Sequence, residues 1–246
     1  MKLRLFAITL LACISGLALA GENVVYKVDG KEYQGFWAKV SHDAPLLVLV
    51  HDWDGLTQYE EQRAKMLNEL GYNVFAVDLF GKGVRPTKVA DKRQHTGELY
   101  TNRDKLRALM SAGVEKAAAL GGNINNMVVM GYCFGGAAVL ESARAGMKAQ
   151  GFVTFHGGLA TPKGQSYANT KAPIMILHGS ADTAIPMAEF AQLATELEQN
   201  HVPHEMITYS GAPHAFTVFG SDRYRADADK KSWQALTRFL STQTKA

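Results

Sequence analysis

The segment GYCFGG, at residues 131–136, places a cysteine between glycines. Cys133 follows an apolar run and precedes a helical pattern, so we predict that it occupies a tight turn between a strand and a helix. Gly-x-Cys-x-Gly is a nucleophile elbow in which Cys replaces the commoner Ser. Larger side chains at Gly131 and Gly135 would collide across such a turn. The turn would lift the sulfur above the sheet edge at a helix start, where the helix dipole favours a thiolate.

Two residues further along the chain complete a candidate catalytic triad. Asp182 and His214 each follow a predicted strand, and the order Cys133, Asp182, His214 is the chain order of α/β-hydrolases. His214 would accept the thiol proton and later protonate the leaving group, while Asp182 would orient the imidazole. The backbone N–H groups of Phe134 and Trp53 would bind the oxyanion. This arrangement predicts acyl transfer through a sulfur nucleophile.

Each candidate also has a structural interpretation. Free cysteine is among the most buried residue types, so Cys133 could be a core residue. Asp182 could cap a turn, and His214 could be a hydrogen-bonded loop histidine. The flanking glycines and the ordered partners favour the catalytic interpretation. His156 and His178, which also follow predicted strands, are predicted to be structural.

Predicted strands and helices alternate along the chain, which is typical of a largely parallel α/β sheet. The strands are predicted at residues 24–28, 31–40, 45–50, 72–80, 127–131, 151–155, 173–178 and 205–209, and the helices at 57–70, 97–120, 134–145, 187–200 and 225–242. Asp29-Gly30 predicts a hairpin between the first two strands. Ligands of such sheets bind beyond the carboxyl ends of the strands, where the candidate residues lie.

Four segments, VLVHDWDGL, GYCFGG, HGSADTAIP and GAPHAFT, together resemble the dienelactone hydrolase family. The resemblance covers about residues 23–240. It implies an α/β-hydrolase fold, with a mostly parallel central sheet and helices on both faces, in a single domain over residues 21–246. It also implies a Cys-Asp-His triad with His214, rather than His201 or His204, as the base. The implied activity is cofactor-free hydrolysis of a small ester or lactone through a thioester, and no metal-ligand set stands out.

Two positions depart from the family pattern. The best-known members have a glutamate at the position of Asp52, where it engages the resting cysteine; Asp52 would tune the nucleophile in the same way, or else cap a turn. Those members also have an arginine four residues after the catalytic histidine, which helps to bind the carboxylate of dienelactone. Here that position is Val218. Arg85 or Arg103 would then have to supply a cation from another loop.

Several side chains are candidates for the substrate pocket. Tyr132 and Phe134 flank the nucleophile, so at least one of them is expected to approach the substrate. Arg85 and Phe216 are also assigned to the pocket. For the aromatic residues, including Trp53, the alternative is an ordinary place in the core.

Residues 1–20 are typical of an export signal, with a basic start, an apolar run and Ala-Leu-Ala at residues 18–20. Cleavage after Ala20 would release a periplasmic or secreted protein. A membrane anchor is the first alternative, but the run is short and no stop-transfer cluster follows it. The second is a lipoprotein signal ending at Cys13, which the apolar sequence after that cysteine disfavours.

The net charge of the chain argues against a nucleic-acid-binding protein. The net charge of +3 falls to +1 without residues 1–20, because that segment holds two basic residues and no acidic ones. A near-neutral chain lacks the electrostatic signature of a nucleic-acid-binding protein. No later segment is long and apolar enough to span a bilayer. The predicted partner is a small ester or lactone, with no nucleic acid and no membrane contact after signal cleavage. The predicted state is a monomer.

Export would leave Cys133 as the single cysteine, so no intrachain disulfide could form. A lone thiol is a liability in an oxidising compartment unless it is buried or useful. Two alternatives to ester or lactone hydrolysis therefore stay open. One is thioesterase or acyl-transferase chemistry at the same triad, and the other is a non-enzymatic, redox-responsive thiol protein.

Overall fold

An eight-stranded sheet forms the centre of the computed structural model, which describes residues 21–245. The strands are β1 (Glu22–Val28), β2 (Lys31–Ala38), β3 (Pro45–Val50), β4 (Asn73–Val77), β5 (Asn123–Tyr132), β6 (Gly151–Phe155), β7 (Ile174–Gly179) and β8 (His204–Tyr209). Their spatial order is β1-β2-β4-β3-β5-β6-β7-β8. Strand β2 pairs antiparallel with β1 and β4, and the other pairs are parallel. The predicted mostly parallel sheet is confirmed, whereas the predicted signal at residues 1–20 lies outside the described residues.

Within the described residues 21–245, six helices connect or flank the strands. They are α1 (Gln58–Glu69), α2 (Val89–Thr101), α3 (Arg103–Ala119), α4 (Phe134–Arg144), α5 (Met187–Gln199) and α6 (Ala226–Gln243). The single long helix predicted at residues 97–120 is wrong, because α2 and α3 meet at Asn102. The Asn102 side chain accepts a hydrogen bond from the backbone N–H of Lys105 at 3.0 Å and so caps α3. Asparagine favours this capping role over a helix interior.

The helices cover both faces of the sheet, as predicted. Every residue of β3 is buried, and its side chains alternate between two apolar clusters. Leu46, Val48 and Val50 pack with residues of α2 to α5, and Leu47 and Leu49 pack with residues of α1 and α6. Burial on both faces explains why β3 is a continuous apolar run. Within residues 21–245, no helix is long and apolar enough to cross a membrane.

Candidate active site

Cys133 occupies the turn between β5 and α4 in a left-handed backbone conformation, with φ 50° and ψ −114°. A Cβ atom on Gly131 would lie 2.4 Å from the carbonyl oxygen of Gly135. A Cβ atom on Gly135 would lie 2.3 Å from the carbonyl oxygen of Val50. These overlaps confirm the predicted need for glycine on both sides of the cysteine. Strained backbone at a residue other than glycine is typical of functional sites.

The structure brings the three predicted triad residues into one hydrogen-bonded line. His214 Nε2 lies 3.0 Å from Cys133 Sγ, and His214 Nδ1 lies 2.8 Å from Asp182 Oδ2. The other carboxylate oxygen of Asp182 accepts the backbone N–H groups of Ala184 and Ile185 at 2.8 and 2.9 Å. Asp182 therefore both caps its turn and holds the imidazole, so the structural and the catalytic interpretations are compatible.

The charges of the triad reinforce one another. Burial lowers the pKa of His214, but hydrogen bonds to Asp182 and Cys133 and the charges of both outweigh this effect and raise the pKa to about 10. Burial raises the pKa of Asp182, but the hydrogen bond from His214 and its charge bring that pKa below its usual value. An imidazolium between two groups of opposite charge stabilises anions on both sides.

The two predicted oxyanion donors lie at the same edge of the sheet. Phe134 is the first residue of α4, and N–H groups in the first turn of a helix have no partner inside the helix. Within residues 21–245 the backbone N–H of Trp53 donates to no protein atom. The strands that precede them are in register, since Val50 of β3 pairs with Gly131 of β5. Both N–H groups are therefore available to a ligand, and the oxyanion role stays a prediction.

Asp52 caps its own turn. Its carboxylate accepts the backbone N–H of Asp54 at 2.7 Å, and its backbone N–H donates to Glu60 Oε1 at 3.3 Å. Among the described residues no hydrogen bond joins Asp52 to Cys133, so any tuning of the nucleophile acts through charge. Burial and the neighbouring Asp54 raise the pKa of Asp52 to about 6. Burial and Asp52 likewise raise the pKa of Glu60, to about 8.

We expect Asp52→Asn to stabilise the fold near pH 8. Because the folded-state pKa of Asp52 is raised from 3.8 to about 6, its stabilising contribution exists at low pH and is lost as the pH rises through about 6. Asparagine keeps an oxygen for the Asp54 N–H and removes the charge. The free energy of unfolding should rise by roughly 2 kcal/mol near pH 8 and change less near pH 4. Urea denaturation measures both values.

Asp54→Asn is the matched control for this stability measurement. The Asp54 side chain is more exposed and pairs with Lys92 at 2.5 Å. Its replacement should give no comparable gain near pH 8. An Asp52→Asn variant less stable than the wild type near pH 8 would contradict a net cost of keeping the buried Asp52 carboxylate charged.

Three aromatic side chains predicted to approach the substrate are buried, which corrects that prediction. Tyr132 and Phe216 are each 0% exposed, and Phe134 is 1% exposed. The Tyr132 ring packs edge-on against Tyr59, and the Phe216 ring packs edge-on against His156. Tyr132 and Phe216 belong to the apolar cluster under α1 and α6, which fills the opposite face of the sheet from α4. Of these three residues, Phe134 alone remains a candidate for substrate contact, through its backbone N–H.

Arg85 and Arg103, the two cations predicted to serve the substrate, pair with other groups of the protein. The Arg85 guanidinium donates to the carbonyl oxygen of Val84 at 2.8 Å and lies 3.7 Å from the carboxylate of Asp78, and its assignment to the pocket stays a prediction. Arg103 pairs with the buried carboxylate of Glu141 at 3.3 Å. Both guanidinium groups are therefore engaged by protein groups in this structure.

Three polar residues beside the site were not singled out from the sequence. Arg63 of α1 is 1% exposed although its side chain is charged. Its position beside Ala64, on the apolar side of the helix, was the signal that the sequence offered. Tyr59 of α1 and Thr217, three residues after His214, carry no such signal. Within residues 21–245, no cluster of three or more His, Cys, Asp or Glu side chains has the geometry of a metal site.

Comparison with known proteins identifies the family of the chain. The model of the dienelactone hydrolase family matches residues 34–244. A putative carboxymethylenebutenolidase of Escherichia coli (strain K12) is 24% identical over 206 residues, which cover 80% of this chain and 76% of the relative. A putative carboxymethylenebutenolidase of Aquifex aeolicus is 24% identical over 233 residues, which cover 92% of this chain and 100% of the relative.

Solved structures show the same fold. A dienelactone hydrolase-like promiscuous phosphotriesterase from metagenomic libraries superposes with a TM-score of 0.84 at 24% identity, covering 92% of this chain and 98% of that one. A putative dienelactone hydrolase of Klebsiella pneumoniae superposes with a TM-score of 0.73 at 18% identity, covering 90% and 98%. The α/β-hydrolase fold is thereby confirmed. With the family match over most of its length, the chain belongs to the dienelactone hydrolase family, and it is a hydrolase of ester or lactone bonds.

Proposed function

We propose that the protein hydrolyses small, neutral esters or lactones, with Cys133 as nucleophile, His214 as base and acid, and Asp182 as the group that orients His214. The observation that carries this proposal is the hydrogen-bonded line from sulfur to imidazole to carboxylate, with separations of 3.0 and 2.8 Å. Proton transfer between side chains requires separations of this size.

The acylation half of the reaction forms a thioester. The Cys133 sulfur attacks the carbonyl carbon, and an electron pair moves to the carbonyl oxygen. The N–H groups of Phe134 and Trp53 would hold this oxyanion. When the intermediate collapses, the bond to the leaving oxygen breaks and His214 gives that oxygen its proton. An acyl group is then bound to Cys133 and the alcohol is free to leave.

The deacylation half uses His214 as a base. Acylation removes the sulfur anion and its hydrogen bond, which are two of the causes that raise the pKa of His214. The pKa falls as a result, and the neutral imidazole can accept a proton from an attacking water. Water adds to the thioester, the carboxylic acid departs, and the thiolate and imidazolium form again. This two-step cycle needs one base of changing strength.

We expect the enzyme to prefer neutral acyl groups over acyl groups that carry a carboxylate. Arg85 and Arg103 are bound by protein groups, and Val218 carries no charge. Asp52 and Asp54 stand on either side of Trp53, whose N–H is a proposed oxyanion donor. The ratio kcat/KM for p-nitrophenyl butyrate should exceed that for the p-nitrophenyl monoester of succinic acid by about tenfold or more. Steady-state kinetics on this pair of similar size measures the preference.

Different outcomes of that experiment overturn different statements. Faster hydrolysis of the succinate monoester would show that a cation serves the substrate and would overturn the preference for neutral esters. If the protein hydrolyses neither ester and none of a panel of simple lactones, the proposed function itself is wrong.

Export is also part of the proposal. The basic start and apolar run of residues 1–20, with Ala-Leu-Ala at residues 18–20, support delivery to the periplasm or the exterior. N-terminal sequencing of the protein from its natural source tests this, since cleavage after Ala20 leaves Gly21 as the first residue.

A further inference from the structure

The loop that carries His214 is fastened to the rest of the protein at Thr217, which is completely buried. The Thr217 hydroxyl lies 2.6 Å from the Tyr59 hydroxyl of α1 and 2.8 Å from His156 Nε2 at the end of β6. The Thr217 carbonyl oxygen accepts a hydrogen bond from Arg63 Nη2 at 2.7 Å. One threonine therefore joins the His214 loop to both a helix and a strand end.

His156 joins this anchor to the base. Its ring meets the His214 ring edge to face, with centroids 5.4 Å apart and an interplanar angle of 64°. His156 is fully buried with φ 39°, and within the described residues its Nδ1 atom has no hydrogen-bond partner. A left-handed backbone and an unpaired buried nitrogen both cost stability. Among residues 21–245, the one hydrogen bond that the His156 ring makes goes to Thr217.

Arg63 fixes the far side of the same segment. Its guanidinium pairs with Asp229 of α6 at 2.5 Å, and Asp229 also accepts the Tyr224 hydroxyl at 3.1 Å. The guanidinium lies 4.1 Å from the centroid of the Phe219 ring. The chain beyond Thr217 is thus tied to α1 and to α6, so a shift at Thr217 would be transmitted toward His214 rather than absorbed.

We propose that Thr217 is a positioning residue for the reaction, because its hydroxyl holds the His156 ring against His214 and so keeps His214 within hydrogen-bond reach of Cys133. This inference rests on the proposed function. Burial and the nearby charge of His214 hold the pKa of His156 well below its usual value, so the ring is neutral and its N–H can donate to Thr217. Without the hydroxyl, His156 Nε2 would face an apolar group and lose its hydrogen bond, so the ring would turn away.

Thr217→Val tests this inference, because it removes the hydroxyl and preserves the shape. We expect kcat for p-nitrophenyl butyrate to fall by about tenfold or more with KM changed less than about twofold, since misplacing a base slows proton transfer more than binding. Alkylation of Cys133 by iodoacetamide at neutral pH should slow in parallel. Thr217→Ser, which restores a hydroxyl, should stay within about threefold of the wild type.

Thr170→Val is the matched control for loss of a buried hydroxyl. Thr170 is buried and its hydroxyl donates to the carbonyl oxygen of Ala143 at 2.9 Å, away from the triad. Its replacement should lower stability and leave kcat and the alkylation rate unchanged. A folded Thr217→Val variant with wild-type kcat and alkylation would overturn the inference, as would a Thr217→Ser variant as slow as Thr217→Val.

A second variant covers the case in which Thr217→Val does not fold. His156→Phe keeps a ring in place and removes the nitrogen that the Thr217 hydroxyl holds, and a folded His156→Phe variant with wild-type kcat would then overturn the inference. Cys133→Ala in the same assay distinguishes a failure of the proposed function from a failure of the positioning role of Thr217. Hydrolysis that survives in Cys133→Ala would contradict the proposed function, whereas hydrolysis that needs Cys133 and ignores the Thr217 hydroxyl would contradict the positioning role alone.

Discussion

Cys133→Ala should lose at least about 10⁴-fold in kcat/KM for p-nitrophenyl acetate, because no other atom at the elbow can form the covalent intermediate. Alanine accepts the left-handed backbone at φ 50° about as well as cysteine does, so the fold should be kept. Cys133→Ser places a hydroxyl at the same point, but its alcohol is a far weaker acid than a thiol. The serine variant should therefore recover only a small part of the activity. Steady-state kinetics with circular dichroism as a folding check gives the result.

Retention of more than about a tenth of the wild-type kcat/KM in a folded Cys133→Ala protein would rule out the sulfur as nucleophile. A fully active Cys133→Ser variant would instead mean that the base is strong enough for either nucleophile. The first outcome would show that the proposed mechanism is wrong. The second would change only the strength of the base that the mechanism assigns to His214.

His214→Ala is expected to lower kcat/KM for aryl esters by about 10³-fold, since it removes both the acid and the base of the cycle. In the wild type the imidazolium is lost as the pH rises through about 10, because the folded-state pKa is raised to that value. Alkyl esters, whose leaving groups need a proton, should lose rate across that range, and p-nitrophenyl esters should lose less. The alanine variant should show no such limb in its pH profile.

His201→Asn is the matched control, since His201 is exposed and its φ of 55° suits asparagine. Its kinetics and pH profile should equal those of the wild type. An alkaline limb that persists in His214→Ala, or that disappears in His201→Asn, would show that another group titrates there.

The parts of the fold set by local rules could be predicted from the sequence. Asp29 and Gly30 both adopt positive φ in the hairpin turn, as an Asp-Gly pair predicts. The elbow was predictable for a similar reason, because backbone atoms alone exclude a Cβ at Gly135. The meeting of Cys133, Asp182 and His214 was predictable from chain order because parallel strands deliver their carboxyl ends to one edge.

The parts set by distant contacts could not be predicted. Tyr132 and Phe216 looked like pocket residues because they stand next to triad residues, yet the strand and loop direct their rings into the core under α1 and α6. The Arg85 guanidinium was expected to be free for a substrate because nothing in the sequence indicates that Asp78 lies next to it in the fold. The link from Tyr59 to Thr217 joins residues 158 positions apart, so neither residue reveals it alone.

The most direct test of the account is to trap the acyl-enzyme. The protein is mixed with p-nitrophenyl acetate, quenched in acid within one turnover, and analysed by intact and peptide mass spectrometry. We predict a burst of p-nitrophenol with one acetyl group on the sulfur of Cys133, and no acetyl group in Cys133→Ala. Release of p-nitrophenol with the acetyl group on a different side chain, or with Cys133 unmodified while the burst is complete, would contradict the account.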